Sequence, residues 1–298
     1  MVAVTKRTYT GAFEAARALG QLFAPDDLKW EIELPLKARH VPLILHISCN
    51  AHMTLFIPYI GAKVLDRLGL EYVIMGGPES CCGSIHKNLG DGDLQEEVAT
   101  KALLGFQRAR PKTVLSICPD CDDVFARYPL KGPGFRHSNI SELFVAHLET
   151  LKPHLKPVHK KVVFHSHHVS ASRLQDGRNA LAVLKAIPGL EILPATRSDG
   201  PGIHCQTVHP MPPDDQAQMF EEARSLNADA LVVPYHSCYR QHLKMQLRYG
   251  VETHHFFSLL AMSLGIPFEE PLKALRLTDD LDVVMRKLDP KIVAAGLS

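Results

Sequence analysis

Leu43-Ile44-Leu45-His46-Ile47-Ser48-Cys49 and, 119 residues further on, Val162-Val163-Phe164-His165-Ser166-His167-His168 are the two stretches that decide the fold. Each is an apolar run that gives way to polar residues, and each reads as a buried strand entering a loop. The correspondence continues outward. Gly69-Leu70-Glu71 returns as Gly189-Leu190-Glu191 at an offset of 120. Cys81-Cys82 faces His204-Cys205 and Asp91 faces Asp214, both at an offset of 123. Val114-Leu115-Ser116-Ile117, followed by Cys118 and Cys121, faces Leu231-Val232-Val233-Pro234, followed by Tyr235 and Cys238, at an offset of 117. Matches in one order at a near-constant offset mark an internal repeat.

The pattern predicts strands at 42–47, 71–75 and 113–117 in the first copy and at 161–165, 190–193 and 229–233 in the second. Helices are expected at 52–68, 92–109 and 121–128, and again at 170–186, 214–226 and 236–249. Leu94, Val98, Ala102 and Phe106 have helical spacing, with Asp91 or Asp93 as N-cap. Alternation of strand and helix indicates an α/β fold: two tandem pseudo-symmetric repeats, each a small parallel sheet flanked by helices. Expected boundaries are an N-terminal extension at 1–40 with a helix at 12–23, a first repeat at 41–156, a second at 157–265, and a C-terminal tail at 266–298 with a helix at 279–288. Lys152–Lys161 carries the junction between the repeats.

The 298 residues are 46% hydrophobic and 22% charged, the balance of a water-soluble globular chain with ample core material. A net charge of +1 provides no field for nucleic acid or an anionic membrane. No stretch approaches the roughly 20 apolar residues of a membrane span. Met1–Thr10 lacks the apolar segment of a secretory signal. Seven cysteines without such a signal point to a reducing compartment, hence a cytoplasmic location, and an odd number in a chain this long argues against a disulfide framework.

Five of the seven cysteines form one pattern: Cys49, then Cys81-Cys82-Gly83, then Cys118-Pro119-Asp120-Cys121. All lie just past expected strand ends, where open α/β sheets bind ligands. Thiolates are soft anionic ligands for iron and zinc. Zinc takes four ligands, so five thiolates favour an iron–sulfur cluster. His46 and His86 are available as hydrogen-bond donors to the sulfurs, or are ordinary loop histidines. In the second copy imidazoles stand where thiolates are expected. His168, His204, Cys205 and Cys238 make a His2Cys2 set for zinc or a second iron–sulfur centre, with His167 and His236 as alternative ligands; a vestigial copy without metal is the competing reading. Gly90-Asp91-Gly92 and Asp199-Gly200-Pro201-Gly202 read as turns, since no phosphate-binding glycine pattern opens a helix.

The order Cys…Cys-Cys-Gly…Cys-Pro-x-Cys resembles the cysteine-rich "CCG" domain family, over about residues 41–265 as two copies. That family includes the B subunit of heterodisulfide reductase. The resemblance implies that Cys49, Cys81, Cys82, Cys118 and Cys121 hold a noncubane [4Fe-4S] cluster that handles disulfide, thiol or sulfane-sulfur groups by one-electron steps. The second copy departs from the family pattern. The chain therefore looks more like the B-type subunit of a heterodisulfide reductase-like sulfur-oxidising complex. With no flavin or nicotinamide motif of its own, its implied partners are a ferredoxin-like C-type subunit and a flavin-containing A-type subunit. Two other readings remain open at this point: a non-catalytic zinc-bearing or electron-relay module, and the iron–sulfur subunit of a 2-hydroxyacid dehydrogenase complex.

Overall fold

A computed structural model describes residues 24–25, 27–30, 40–128, 134–166, 171–196, 205, 210–278 and 280–294. The expected helix at 12–23 lies outside them.

The first repeat contains strands β1 (Leu43–Ile47), β2 (Val73–Gly76), β3 (Thr113–Ser116) and β4 (Arg136–Asn139). They form a sheet in the order β2-β1-β3-β4 with every neighbouring pair parallel. The second repeat contains β5 (Lys160–Phe164), β6 (Leu190–Ile192), β7 (Ala230–Val233) and β8 (Glu252–His255), in the equivalent order β6-β5-β7-β8, again parallel. Parallel strands covered on both faces read as unbroken apolar runs; Ala230–Val233 is such a run, and Leu43–Ile47 is one but for His46. The register pairs His46 with Met75 on one side and with Ser116 on the other.

The crossovers are helical. After β1 come a 3-10 turn (Cys49–Met53) and α1 (Phe56–Arg67). After β2 come α2 (Ser84–Asn88) and α3 (Gly92–Arg108), and β3 runs into α4 (Pro119–Phe125). After β4 come α5 (Ile140–Ala146) and the short α6 (Leu148–Leu151). In the second repeat, α7 (Ala171–Lys185) follows β5, α8 (Pro213–Ser225) follows β6, and α9 (His236–His242) and α10 (Met245–Tyr249) follow β7. After β8 come α11 (Phe256–Leu264), α12 (Pro271–Arg276) and α13 (Leu281–Ala294). Asp91 caps α3 as expected, its carboxylate accepting the Leu94 amide at 2.9 Å.

The repeat is visible in the backbone's unusual residues as well as in its topology. Gly69 and Gly189, 120 apart, both have positive φ at a helix end. So do Arg110 and Asn227, 117 apart, just before β3 and β7. A fourth strand per repeat was not expected. Arg136–Asn139 and Glu252–His255 are short and polar, so neither gives the apolar signal of a buried strand.

The two sheets share one core. It runs from Leu45, Ile47, Phe56 and Ile60 through Phe144 to Val163, Phe220, Leu231 and Phe257. Across the junction α1 packs on α11 and α5 packs on α7, which is the same contact made twice under a pseudo-two-fold relation. The Phe144 and Phe257 rings meet there at 5.1 Å. The reciprocity extends to the loops. The Cys49–Met53 turn meets α9, and α4 meets α7. Each repeat therefore reaches into the ligand edge of the other. A smaller apolar cluster on the first sheet joins Ile44, Met75, Phe106 and Phe125 to Cys82, Cys118 and Cys121.

Candidate metal centre at the junction of the repeats

Strand order β2-β1-β3-β4 changes direction between β1 and β3, which opens a crevice at their carboxyl ends. Cys49 follows β1, Cys81 and Cys82 follow β2, and Cys118 and Cys121 follow β3. The structure brings all five thiols together. Cys49 hydrogen-bonds Cys81, Cys81 touches Cys82, Cys82 touches Cys121, and Cys121 touches Cys118. The contacts form a drawn-out chain rather than a knot about one point. Four of the sulfurs belong to buried residues and Cys49 is half-buried, so the set reaches the surface at Cys49. None of the seven cysteines is disulfide-bonded.

Local sequence explains each placement. Cys118 is the N-cap of α4 and Pro119 occupies the first turn, where its missing amide is no loss. Cys121, one turn on, donates its amide to the Cys118 carbonyl at 3.1 Å, which puts both thiols on one side. Ser116 donates to the Cys118 carbonyl (3.1 Å) and to the Asp122 carboxylate (2.6 Å). Asp122 also accepts from Asn139 Nδ2 at 3.0 Å and faces His137 Nδ1 at 3.0 Å, tying the cysteine helix to β4.

Gly83 has a structural obligation that its place in the sequence only hints at. Its φ is +73°, and a Cβ there would stand 2.9 Å from both the Cα and the carbonyl oxygen of Gln95. Its amide donates to Cys81 Sγ at 3.3 Å. Gly83→Ala must distort this turn against backbone that cannot yield. The expected loss is at least about 2 kcal/mol, measured by denaturant unfolding, together with reduced metal content.

The thiols govern one another's ionisation. At Cys82, hydrogen bonds from Cys121 and Cys81 outweigh burial and bring the pKa down to about 7. At Cys81 the contact with Cys49 favours the thiolate, but the Cys82 contact and burial together outweigh it and push the pKa up to about 12. Cys121 is pushed well up, first by Cys118, then by Cys82 and burial. Without a cation, Cys82 is held toward the thiolate while Cys81 and Cys121 are held as thiols. Bound metal cations displace the remaining protons.

Positive charge arrives from the other repeat. Arg240 on α9 lies within charge–charge range of Cys49, and Arg173 on α7 within range of Cys118. Arg173 is buried, ion-paired to Asp120 on α4 and 3.9 Å from Asp123. Neither arginine was singled out from the sequence, since nothing in the repeat pattern says which loop of one copy faces the other. His46 is fully buried against Phe106 (5.3 Å) and Phe125 (5.8 Å), and burial lowers its pKa to about 3, so its ring is neutral. Its hydrogen-bond contact is with the Ser80 backbone rather than with a cysteine sulfur, which fits the reading of His46 as an ordinary histidine.

Between the repeats, Asp176 on α7 accepts from Tyr235 Oη (3.2 Å) and Ser141 Oγ (3.4 Å). Burial, reinforced by the Asp122 charge, raises its pKa from 3.8 to about 7. The folded chain therefore holds a proton there that the unfolded chain releases between about pH 4 and pH 7. Stability falls as pH rises through that window and levels off above it. Asp176→Asn keeps an acceptor without the charge. It should stabilise the fold by on the order of 2–3 kcal/mol at pH 8 and by nothing at pH 4. Thermal melts of both chains across the range check this; a constant difference at every pH would contradict it.

Of the expected second set, Cys205 and Cys238 are among the described residues. His168 and His204, and the alternative His167, lie outside the described residues. Cys205 and Cys238 do meet, and the histidine that joins them is His165 at the end of β5. The alternative ligand His236 is buried beside Arg240 and His255, outside the group of three formed by His165, Cys205 and Cys238. Where the first repeat has Cys118, Tyr235 directs its hydroxyl to Asp176.

Residues 43–125, within the first repeat, match the family model of the cysteine-rich domain CCG. Over 148 residues the chain is 26% identical to the probable iron-sulfur-binding oxidoreductase FadF of Bacillus subtilis (strain 168); the match takes in 48% of this chain and 21% of the relative. The chain thus corresponds to about a fifth of that longer protein. Among solved structures, a hypothetical protein from Helicobacter pylori superimposes on 93% of this chain and 58% of its own, with a TM-score of 0.54 at 10% identity. That likeness concerns the fold alone. Among the described residues no helix is long and apolar enough to cross a membrane.

Proposed function

We propose that this chain is an iron–sulfur redox subunit whose first repeat holds a noncubane [4Fe-4S] cluster on Cys49, Cys81, Cys82, Cys118 and Cys121. The observation that carries the reading is the convergence of five thiols, contributed by three strand ends, into one buried chain of contacts at the β1/β3 crevice. A line of five soft donors suits several metal ions better than one. The CCG match over residues 43–125 and the iron–sulfur oxidoreductase name of the FadF relative agree with it. When bound, such a cluster supplies one-electron exchange with a sulfur substrate.

The chain's own residues do the rest. The Gly83 turn and the Asp122 hydrogen bonds fix the sulfurs. Arg173 and Arg240 offset the negative charge of the thiolates in a site poor in water. Cys49, the least buried of the five, marks the side from which a disulfide, thiol or sulfane-sulfur group approaches. Electrons pass to and from partner subunits, a ferredoxin-like C-type and a flavin-containing A-type chain, in a heterodisulfide reductase-like assembly in the cytoplasm. Anaerobically purified protein should contain iron and acid-labile sulfide in equal amounts, about four of each per chain. It should give a paramagnetic signal that changes when a thiol substrate is added. A colourless chain containing zinc alone would turn the reading to the non-catalytic module.

A further inference from the structure

We propose that His165, Cys205 and Cys238 form a second, mononuclear site for a zinc-class divalent ion, built within the second repeat and independent of the five-thiol set. His165 follows β5, Cys205 lies between β6 and α8, and Cys238 is on α9, so the three converge at the β5/β7 crevice, the counterpart of the first site's position. Their ligand atoms lie within 4.8 Å of one another and all three residues are fully buried. His165 Nε2 is 3.5 Å from Cys205 Sγ. A tetrahedral zinc with Zn–S about 2.3 Å and Zn–N about 2.05 Å places these two atoms about 3.5 Å apart. A compact group of this kind fits one ion, unlike the drawn-out chain of the first repeat.

Charge and hydrogen bonding agree. Two thiolates and a neutral imidazole around a 2+ ion leave no net charge, which a site with no exposure to water requires. Binding releases two thiol protons, one from each cysteine. His242 Nε2 stands 3.4 Å from Cys205 Sγ. Its other nitrogen, Nδ1, is 2.7 Å from Gln216 Nε2, and that same amide nitrogen lies 3.1 Å from the Gln241 carbonyl. The carbonyl fixes the Gln216 amide as donor, so His242 Nδ1 accepts and the ring proton sits on Nε2. His242 therefore donates to the Cys205 sulfur rather than competing for the ion, the supporting role that hydrogen-bond partners of metal ligands fill elsewhere.

The test uses the full chain with Cys82→Ser in the first set, so that iron there does not mask the result, and the wild-type chain alongside. Both should retain one zinc per chain after dialysis against a weak chelator. Replacement by cobalt should give a thiolate-to-metal charge-transfer band. Cys205→Ser and Cys238→Ser should each weaken zinc binding by more than about 100-fold, and His242→Phe by about 10-fold, by analogy with ligand and supporting-residue losses. His165→Cys should keep one metal per chain and intensify the charge-transfer band, a readout that holds if the serine variants do not fold. A wild-type chain that gives up all its zinc to the weak chelator overturns the proposal. So does a cobalt form without thiolate charge transfer. Loss of iron from the first set leaves the expected zinc result unchanged, so the two assignments fail separately.

Discussion

Replacing Cys82 by serine should cost the protein nearly all its iron, on the order of a tenth or less remaining, with turnover of a sulfur substrate down at least about 100-fold. No other single substitution in the site should do more. Cys82 stands in the middle of the chain of contacts, touching Cys81 on one side and Cys121 on the other. Hydrogen bonds from Cys121 and Cys81 draw its pKa down to about 7, which favours the thiolate that a metal needs. Serine is smaller, harder as a ligand and protonated at neutral pH, so it cannot take over. Cys49→Ser, at the half-buried end of the chain, should do less damage. Iron and sulfide analysis of the two variants, purified anaerobically, provides the comparison. Equal iron in Cys82→Ser and wild type would show that the central thiol is not a ligand.

Arg173→Met should destabilise the chain by about 3 kcal/mol, because it removes one member of a buried ion pair and leaves Asp120 facing the junction without its partner. The side chain of Arg173 is 7% exposed and that of Asp120 30%, so Asp120 recovers part of its hydration and the loss stays at the lower end for such pairs. The double variant Arg173→Met/Asp120→Asn should regain most of that stability. With the cation gone from beside Cys118, the potential of the bound centre moves negative in Arg173→Met, since reduction adds negative charge, and loss of the Asp120 charge in the double variant offsets much of that shift. Denaturant unfolding of the four members of the cycle separates the pair from its surroundings. A potential unchanged in Arg173→Met would mean that the second repeat does not tune the first site.

The parts of this architecture that were legible in the sequence are those with local signatures. Leu43–Ile47 and Val162–Phe164 announce buried strands because parallel strands are apolar on both faces. Asp91 announces a helix start because its carboxylate has an amide to accept. The five-cysteine grouping followed from strand order, since loops at the carboxyl ends of a parallel sheet must meet. Strands β4 and β8 were missed because Arg136–Asn139 and Glu252–His255 are polar, and only the pairing with β3 and β7 makes them strands. The repeat aligns His168, not His165, with Cys49 and so names His168; that His165 meets Cys205 and Cys238 depends on where the end of β5 enters the crevice, which the alignment does not carry. Arg173 and Arg240 belong to contacts between the repeats, and a pattern that compares the copies side by side carries no information on how they face each other.

The central claim, that the five thiols of the first repeat share one iron–sulfur cluster, is tested most directly by anomalous scattering at the iron edge from anaerobically grown crystals. The account predicts a compact group of iron peaks bonded to the sulfurs of Cys49, Cys81, Cys82, Cys118 and Cys121. A single zinc peak held by four of them, or sulfurs with no metal between them in an oxygen-free crystal, would contradict it.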